Sequence, residues 1–259
     1  YYEEFVVGKS DRRVVGDRTV SDWVGGFSPD TVGVIPLLED REHMLDIDGI
    51  VGEYVRETGV DEQRVFLARS DPALNYGSLS ADLLNLIALS RLDDLEEREG
   101  VDVHPMLGAG SAPFRGGLSP NDADRVADAY PSVETFTAQS AFKYDHKVEE
   151  VRDGVESLKD AERGDARPID EERALKVIDR VAERYSEQVS VVAPTVNRVS
   201  DLVPDRRARR LHVGLFGYSR EVGENSLPRA IGYTAALYSI GLPPTLLGVA
   251  GMTGEDADF

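Results

Sequence analysis

The 259-residue sequence contains no cysteine. That absence removes disulfides, zinc–thiolate centres and cysteine nucleophiles together, so any chemistry must rest on oxygen and nitrogen groups. Lysine is scarce too: Lys9, Lys143, Lys147, Lys159 and Lys176 are the only ones, and the other fixed cations are arginines. No apolar run reaches the roughly 18 residues of a membrane helix, and the opening YYEEFVVGKSDRR has no signal-peptide pattern. The expectation is a soluble, cytoplasmic protein. With 29 Lys+Arg against 48 Asp+Glu the net charge is −19, which repels nucleic acid and anionic membranes over long range, so neither is expected as a partner. An acidic, lysine-poor surface suits a salt-rich cytosol, where a short Debye length suppresses self-repulsion. A first residue of Tyr and an end at GMTGEDADF, just after an apolar stretch, lead us to expect an internal piece of a longer protein.

Hydrophobic residues make up 41% of the chain, too many for a disordered one. Four short apolar runs recur with polar residues at their C-terminal ends: TVGVIPLLED at 31–40, RVFLARSDPA at 64–73, VDVHPMLGAG at 101–110 and SVETFTAQSA at 132–141. Helical patterns lie between them. REHMLDIDGIVGEYVRETG places Met44, Ile47, Val51, Tyr54 and Val55 on one face and ends at Gly59, a candidate C-cap. LSADLLNLIALSRLDDLEEREG stops at Gly100, and LSPNDADRVADAY offers Ser119 as N-cap with Pro120 at N1. Repeated strand–helix units predict a parallel α/β sheet, open or closed into a barrel. From about 145 onward long helical stretches are expected, broken around GDARPID, with their charge runs as solvated faces.

In parallel α/β proteins ligands sit at the C-terminal strand ends. Those ends offer Glu39 and Asp40; Arg69, Ser70 and Asp71; Ser111 and Arg115; and Gln139, Ser140 and Lys143. Mg²⁺ takes hard oxygens, commonly one or two carboxylates plus substrate oxygens, so Glu39 with Asp71 would suffice. The plainer alternative is that Glu39 caps a helix and Asp71 opens a turn before Pro72. In MLGAGSAPFRGG, glycines beside Arg115 strip away bulk, so an anion could meet guanidinium and backbone N–H groups together. The plainer reading of Arg115 is a solvated loop arginine. The stretch is not a Walker loop, since no Gly-Lys-Ser/Thr follows, nor a dinucleotide fingerprint, since Pro113 stands where the third glycine belongs. His43, His104, His146 and His212 show no ligand spacing and read as structural.

Five motifs in order, FLARSDPALNYG, GAGSAPFRGGLSP, TFTAQSAFKYD, GLFGYSR and LPRAIGYTAALYSIGLPP, resemble the archaeal-type phosphoenolpyruvate carboxylases. The resemblance implies a TIM-type (β/α) barrel with additional long helices, incomplete in this chain, within a single catalytic domain over 1–259. Strand–helix repeats would fill about 30–144, and a helical insertion with the remaining elements about 145–259. It implies a carbon–carbon lyase, dependent on Mg²⁺ or Mn²⁺, that converts phosphoenolpyruvate and bicarbonate to oxaloacetate and phosphate, in a homo-oligomer, a tetramer when intact. By the same resemblance Glu39 and Asp71 match the metal carboxylates. Arg115 matches the arginine of the Gly-rich loop, and Arg229 another active-site arginine. Lys143 is a further catalytic candidate; Ser111, Gln139 and Arg220 are candidates for substrate binding.

The sequence also departs from the wider family. Leu74 stands where bacterial and plant enzymes carry a lysine, and Leu107 and Ala109 where they carry a histidine and an arginine. The family's N-terminal His-Pro segment has no counterpart; His104-Pro105 has the dipeptide but lies in a predicted strand. Two other functions fit the residues: a different Mg-dependent barrel lyase or mutase acting on phosphoenolpyruvate or a keto acid, and a catalytically inert assembly fragment.

Overall fold

The computed structural model describes residues 2–29, 31–204, 221–222 and 225–258, which fall into two compact units, Tyr1–Ile35 and Pro36–Phe259. In the first unit, helix α1 (Tyr2–Phe5) precedes an antiparallel pair, β1 (Arg13–Val15) and β2 (Arg18–Thr19), and then α2 (Val20–Val24). A capping box starts α2: Thr19 Oγ1 accepts from the Asp22 amide at 3.2 Å, and Asp22 Oδ2 accepts from the Thr19 amide at 2.9 Å.

The second unit alternates strand and helix as the sequence predicts. Strand β3 (Leu37–Leu38) leads through α3 (Arg41–Leu45) and α4 (Ile47–Thr58) to β4 (Glu62–Ala68); α5 (Ser70–Tyr76) and α6 (Ser78–Glu99) lead to β5 (Asp102–Gly108); α7 (Ala123–Ala129) precedes β6 (Thr135–Phe136). All four strands pair in parallel in the order β3-β4-β5-β6. The register aligns Leu38, Leu67, Leu107 and Phe136 in one row. Successive residues alternate faces, so Gln63, Val65 and Leu67 of β4 and Val103, Pro105 and Leu107 of β5 point into the core. Each strand is shorter than its apolar run, because ladder pairing stops within two residues of that row and the polar residues beyond it turn into loops and helix starts.

Glycines end two of the helices as predicted. Gly59 and Gly100 sit in left-handed conformation after α4 and α6, each with its amide bonded back to the helix. The helix predicted over residues 41–59 is, however, interrupted at Asp46. The Asp46 carboxylate lies over Gly49, where a Cβ would come within 2.5 Å of Oδ1. Ser119 also differs from its predicted role: its hydroxyl donates to the Asp122 carboxylate at 2.6 Å and caps no amide, and Pro120–Asp122 forms a 3-10 turn ahead of α7.

Two long helices follow, α8 (Val148–Asp160) and α9 (Glu171–Ser200), with the break between them spanning GDARPID. Helix α9 buries Ala174, Val177, Ile178, Val181, Tyr185, Val189, Ala193 and Val196 at three- and four-residue spacing and leaves its charges exposed or half-buried. A short antiparallel pair, β7 (Glu221–Val222) and β8 (Asn225–Ser226), and then α10 (Ala230–Ser239) complete the described strands and α-helices. The first buried cluster gathers residues of the sheet, α4, α6 and the N-terminal half of α9. A second gathers Ala73, Leu74, Phe114, Tyr185, Val189, Tyr233 and Leu237.

Candidate active site

The aligned row of the sheet defines a rim. Glu39, Ala68, Gly108 and Thr137 each stand one residue past it, so the segments carrying Glu39, Asp71, Arg115 and Gln139 leave from the same edge. Glu39 is half-buried at the end of β3. The helix cap next to it is Asp40, whose Oδ1 accepts from the His43 amide at 3.0 Å, so Glu39 is not the capping residue. Asp71, also half-buried, lies in the first turn of α5 just before Pro72.

After β5 the chain folds back on itself. The Gly110 amide donates to the Arg115 carbonyl at 2.8 Å and the Leu118 amide to the Gly110 carbonyl at 2.9 Å, closing a tight loop. Within it Pro113–Arg115 forms one 3-10 turn, and Phe114 is fully buried against Tyr233, with ring centroids 5.5 Å apart. Burying Phe114 directs its neighbour outward. Arg115 Nε donates to Ser70 Oγ at 3.3 Å, and Nη2 donates to Gln139 Oε1 at 2.7 Å. The guanidinium thus bridges the ends of β4 and β6 across β5. Gly110 permits this approach, because a Cβ there would lie 2.6 Å from Arg115 Cζ.

The rim also holds Arg69, which the sequence offers at the end of the second apolar run without assigning it a role. Arg69 is 1% exposed, and its Nε donates to Asp82 Oδ1 at 2.6 Å. Burial opposes its charge, but the Asp82 carboxylate, with smaller contributions from Tyr130, more than offsets this and raises the guanidinium pKa. The signal was present: Val65 and Leu67 face inward, and period-two alternation puts Arg69 on the same side. A cleft of about 280 Å³ is lined by Arg69, Asp82, Gly116, Gly117, Arg125 and Tyr130, among others. None of Glu39, Asp71 and Arg115 lines it, so it opens beside the loop and away from those three side chains.

The remaining candidates are more dispersed. Ser111 is half-buried in the loop. Lys143 is exposed in a π-helical turn, Ala141–Asp145. Arg229 is exposed at the start of α10, whose Tyr233 packs on Phe114. Arg220 and His212 lie outside the described residues. Leu74, Leu107 and Ala109, which replace charged residues of the wider family, are all buried apolar residues that present no charge to the rim. His104 Nδ1 lies 2.6 Å from Glu134, toward the opposite end of β5 from the rim. His43 and His146 pair with Asp40 and Glu150.

The family model described as phosphoenolpyruvate carboxylase matches residues 1–259. The chain is 64% identical over its whole length to a phosphoenolpyruvate carboxylase of Halobacterium salinarum and 52% identical to one of Methanospirillum hungatei. It is 45% identical, over 98% of its length, to one of Pyrococcus abyssi. It spans about half the length of these relatives, 53%, 54% and 53% respectively. With its whole length matched and the five motifs in order, the chain belongs to the archaeal-type phosphoenolpyruvate carboxylase family.

Proposed function

We propose that the full-length protein carboxylates phosphoenolpyruvate with bicarbonate, giving oxaloacetate and phosphate, and that residues 1–259 form part of its catalytic domain. The observation that carries this reading is the placement of Arg115, held by Ser70 and Gln139 on the rim from which Glu39 and Asp71 also emerge. The four parallel strands would be part of a TIM-type barrel that is incomplete in this chain, with helices α8 and α9 belonging to a helical insertion that shares about 145–259 with the remaining elements. The assembly would be a cytoplasmic homo-oligomer, a tetramer by family resemblance. Among the described residues no helix is long and apolar enough to cross a membrane. The −19 charge and the 64% identity to the Halobacterium protein favour a salt-rich setting.

Glu39 and Asp71 suit Mg²⁺ or Mn²⁺ by donor chemistry, since both offer hard carboxylate oxygens on segments that leave the ends of adjacent strands. No group of three or more acidic or histidine ligands able to hold a metal occurs among the described residues. Water and substrate oxygens would complete the shell of an ion held by two carboxylates. When bound, it would supply charge neutralisation on those oxygens. Arg115 would meet the anionic phosphoryl and carboxyl groups, its donors already oriented before charge moves between them. Ser111 and Gln139 would line the same substrate; Lys143, Arg220 and Arg229 are further cationic candidates. Water must be kept out, because a protonated enolate ends as pyruvate.

The test is oxaloacetate formation, read as NADH oxidation through added malate dehydrogenase, with phosphoenolpyruvate, bicarbonate and metal each omitted in turn. We expect dependence on all three. Pyruvate and phosphate as the only products would overturn the reading in favour of another phosphoenolpyruvate enzyme.

A further inference from the structure

We infer that Asp82 and Tyr130 are positioning residues for Arg115, acting through the buried Arg69, an inference that rests on Arg115 being the anion-facing group. Asp82 Oδ1 is shared. It accepts from Arg69 Nε at 2.6 Å and from the Tyr130 hydroxyl at 2.7 Å. The far end of Arg69 then reaches the loop backbone: Nη1 donates to the Phe114 carbonyl at 3.3 Å, while Nη2 donates to the Ser78 carbonyl and hydroxyl, both at 3.0 Å. On the other side of Arg115, a Cβ on Gly116 would lie 3.1 Å from Arg69 Cγ. Arg69 therefore touches both chain neighbours of Arg115. Its own neighbour, Ser70, accepts from the Arg115 side chain.

Two consecutive residues at the end of β4 thus clamp the loop, one through its backbone and the other through the guanidinium it presents. A planar fork can satisfy Asp82, Ser78 and Phe114 at once, which a lysine ammonium on a flexible stem cannot do with the same geometry. Tyr130 adds no charge to this arrangement. What its hydroxyl contributes is direction, fixing the carboxylate oxygen that orients Arg69. Asp82 itself is 40% exposed, so solvent could take its hydrogen bonds were they only needed to satisfy the carboxylate.

The experiment uses Tyr130→Phe and Asp82→Asn in the full-length protein, with amide hydrogen exchange and carboxylation kinetics measured on the same preparations. The loop amides of Gly110, Arg115, Gly116, Gly117 and Leu118, all bonded within the loop, should exchange about tenfold faster in Tyr130→Phe, as expected for loss of one hydrogen bond to a charged group. Amides of β4 and β5 should not change. Turnover should fall about tenfold in Tyr130→Phe and on the order of 100-fold in Asp82→Asn, the scale of a small misplacement of a catalytic group, with the KM for phosphoenolpyruvate little altered. Unchanged loop exchange, or acceleration spread evenly through the sheet, overturns the inference. So does a loosened loop with unaltered turnover. If Asp82→Asn does not fold, Tyr130→Phe decides alone. If the wild-type protein forms no oxaloacetate the carboxylase reading falls, while local loosening in Tyr130→Phe still upholds the hold on the Arg115 loop.

Discussion

Arg115 and Arg69 serve the same glycine-rich loop from opposite surroundings. Arg69 is sealed inside, and a carboxylate, a hydroxyl and two carbonyls receive its N–H groups. Arg115 is half-buried on the rim, oriented by neutral oxygens of Ser70 and Gln139. The difference shows two uses of one side chain. Inside, the fork organises backbone and must have its charge matched; on the rim, the Ser70 and Gln139 oxygens set the direction of a guanidinium that stays half-buried at the end of the loop.

The largest effect that would sharpen this contrast comes from Arg115→Ala, which should lower turnover about a thousandfold, as removal of a preorganised donor does, while thermal unfolding stays near wild type. Near wild-type activity would take Arg115 out of the site. Phe114→Ala acts on the inner side. It should cost about 3–4 kcal/mol in urea unfolding, because a fully buried ring leaves a cavity in the second cluster; a loss below about 1 kcal/mol would mean the loop is not anchored there. Gly110→Ala should separate the two sides. The added Cβ meets the flexible end of Arg115, so activity should drop about 100-fold with under about 1 kcal/mol lost in stability. The reverse pattern would make Gly110 a backbone requirement.

The smallest effect concerns acid. The Thr253 amide, first, and the Arg180 guanidinium hold the Asp256 carboxyl down to about 2 from its usual 3.8. Because the folded value is lowered, the stability it contributes is complete above about pH 3.8 and is lost as the pH falls through 2. NMR of the Thr253 amide should follow that window. Simultaneous loosening of residues 110–118 would show that the loop depends on this distant turn.

Much of the architecture could be read from local chemistry. Gly59 and Gly100 end helices because only a residue free of a Cβ takes the left-handed turn readily. Strand ends were visible as polar residues after apolar runs, and these brought Arg115, Ser70 and Gln139 to one rim. What could not be read was the pairing inside. Asp82 lies 13 residues beyond Arg69 and Tyr130 48 beyond Asp82; on a helix, Asp82 looks like one more solvated charge. The break at Asp46 escaped for a related reason, since a period-3.6 pattern continues across a helix interruption when the apolar face is preserved.

Helix α9 has a consequence for how this unit comes apart. Thirty residues long, it spans about 45 Å; Ala174, Val177, Ile178 and Val181 belong to the sheet-side cluster, whereas Tyr185, Val189, Ala193 and Val196 belong to the cluster that seats Phe114. Neither cluster can melt without stripping half of the other's scaffold. Heat should therefore dissolve Pro36–Phe259 in a single calorimetric transition, so that the chemistry at the rim fails at the same temperature as the core beneath it.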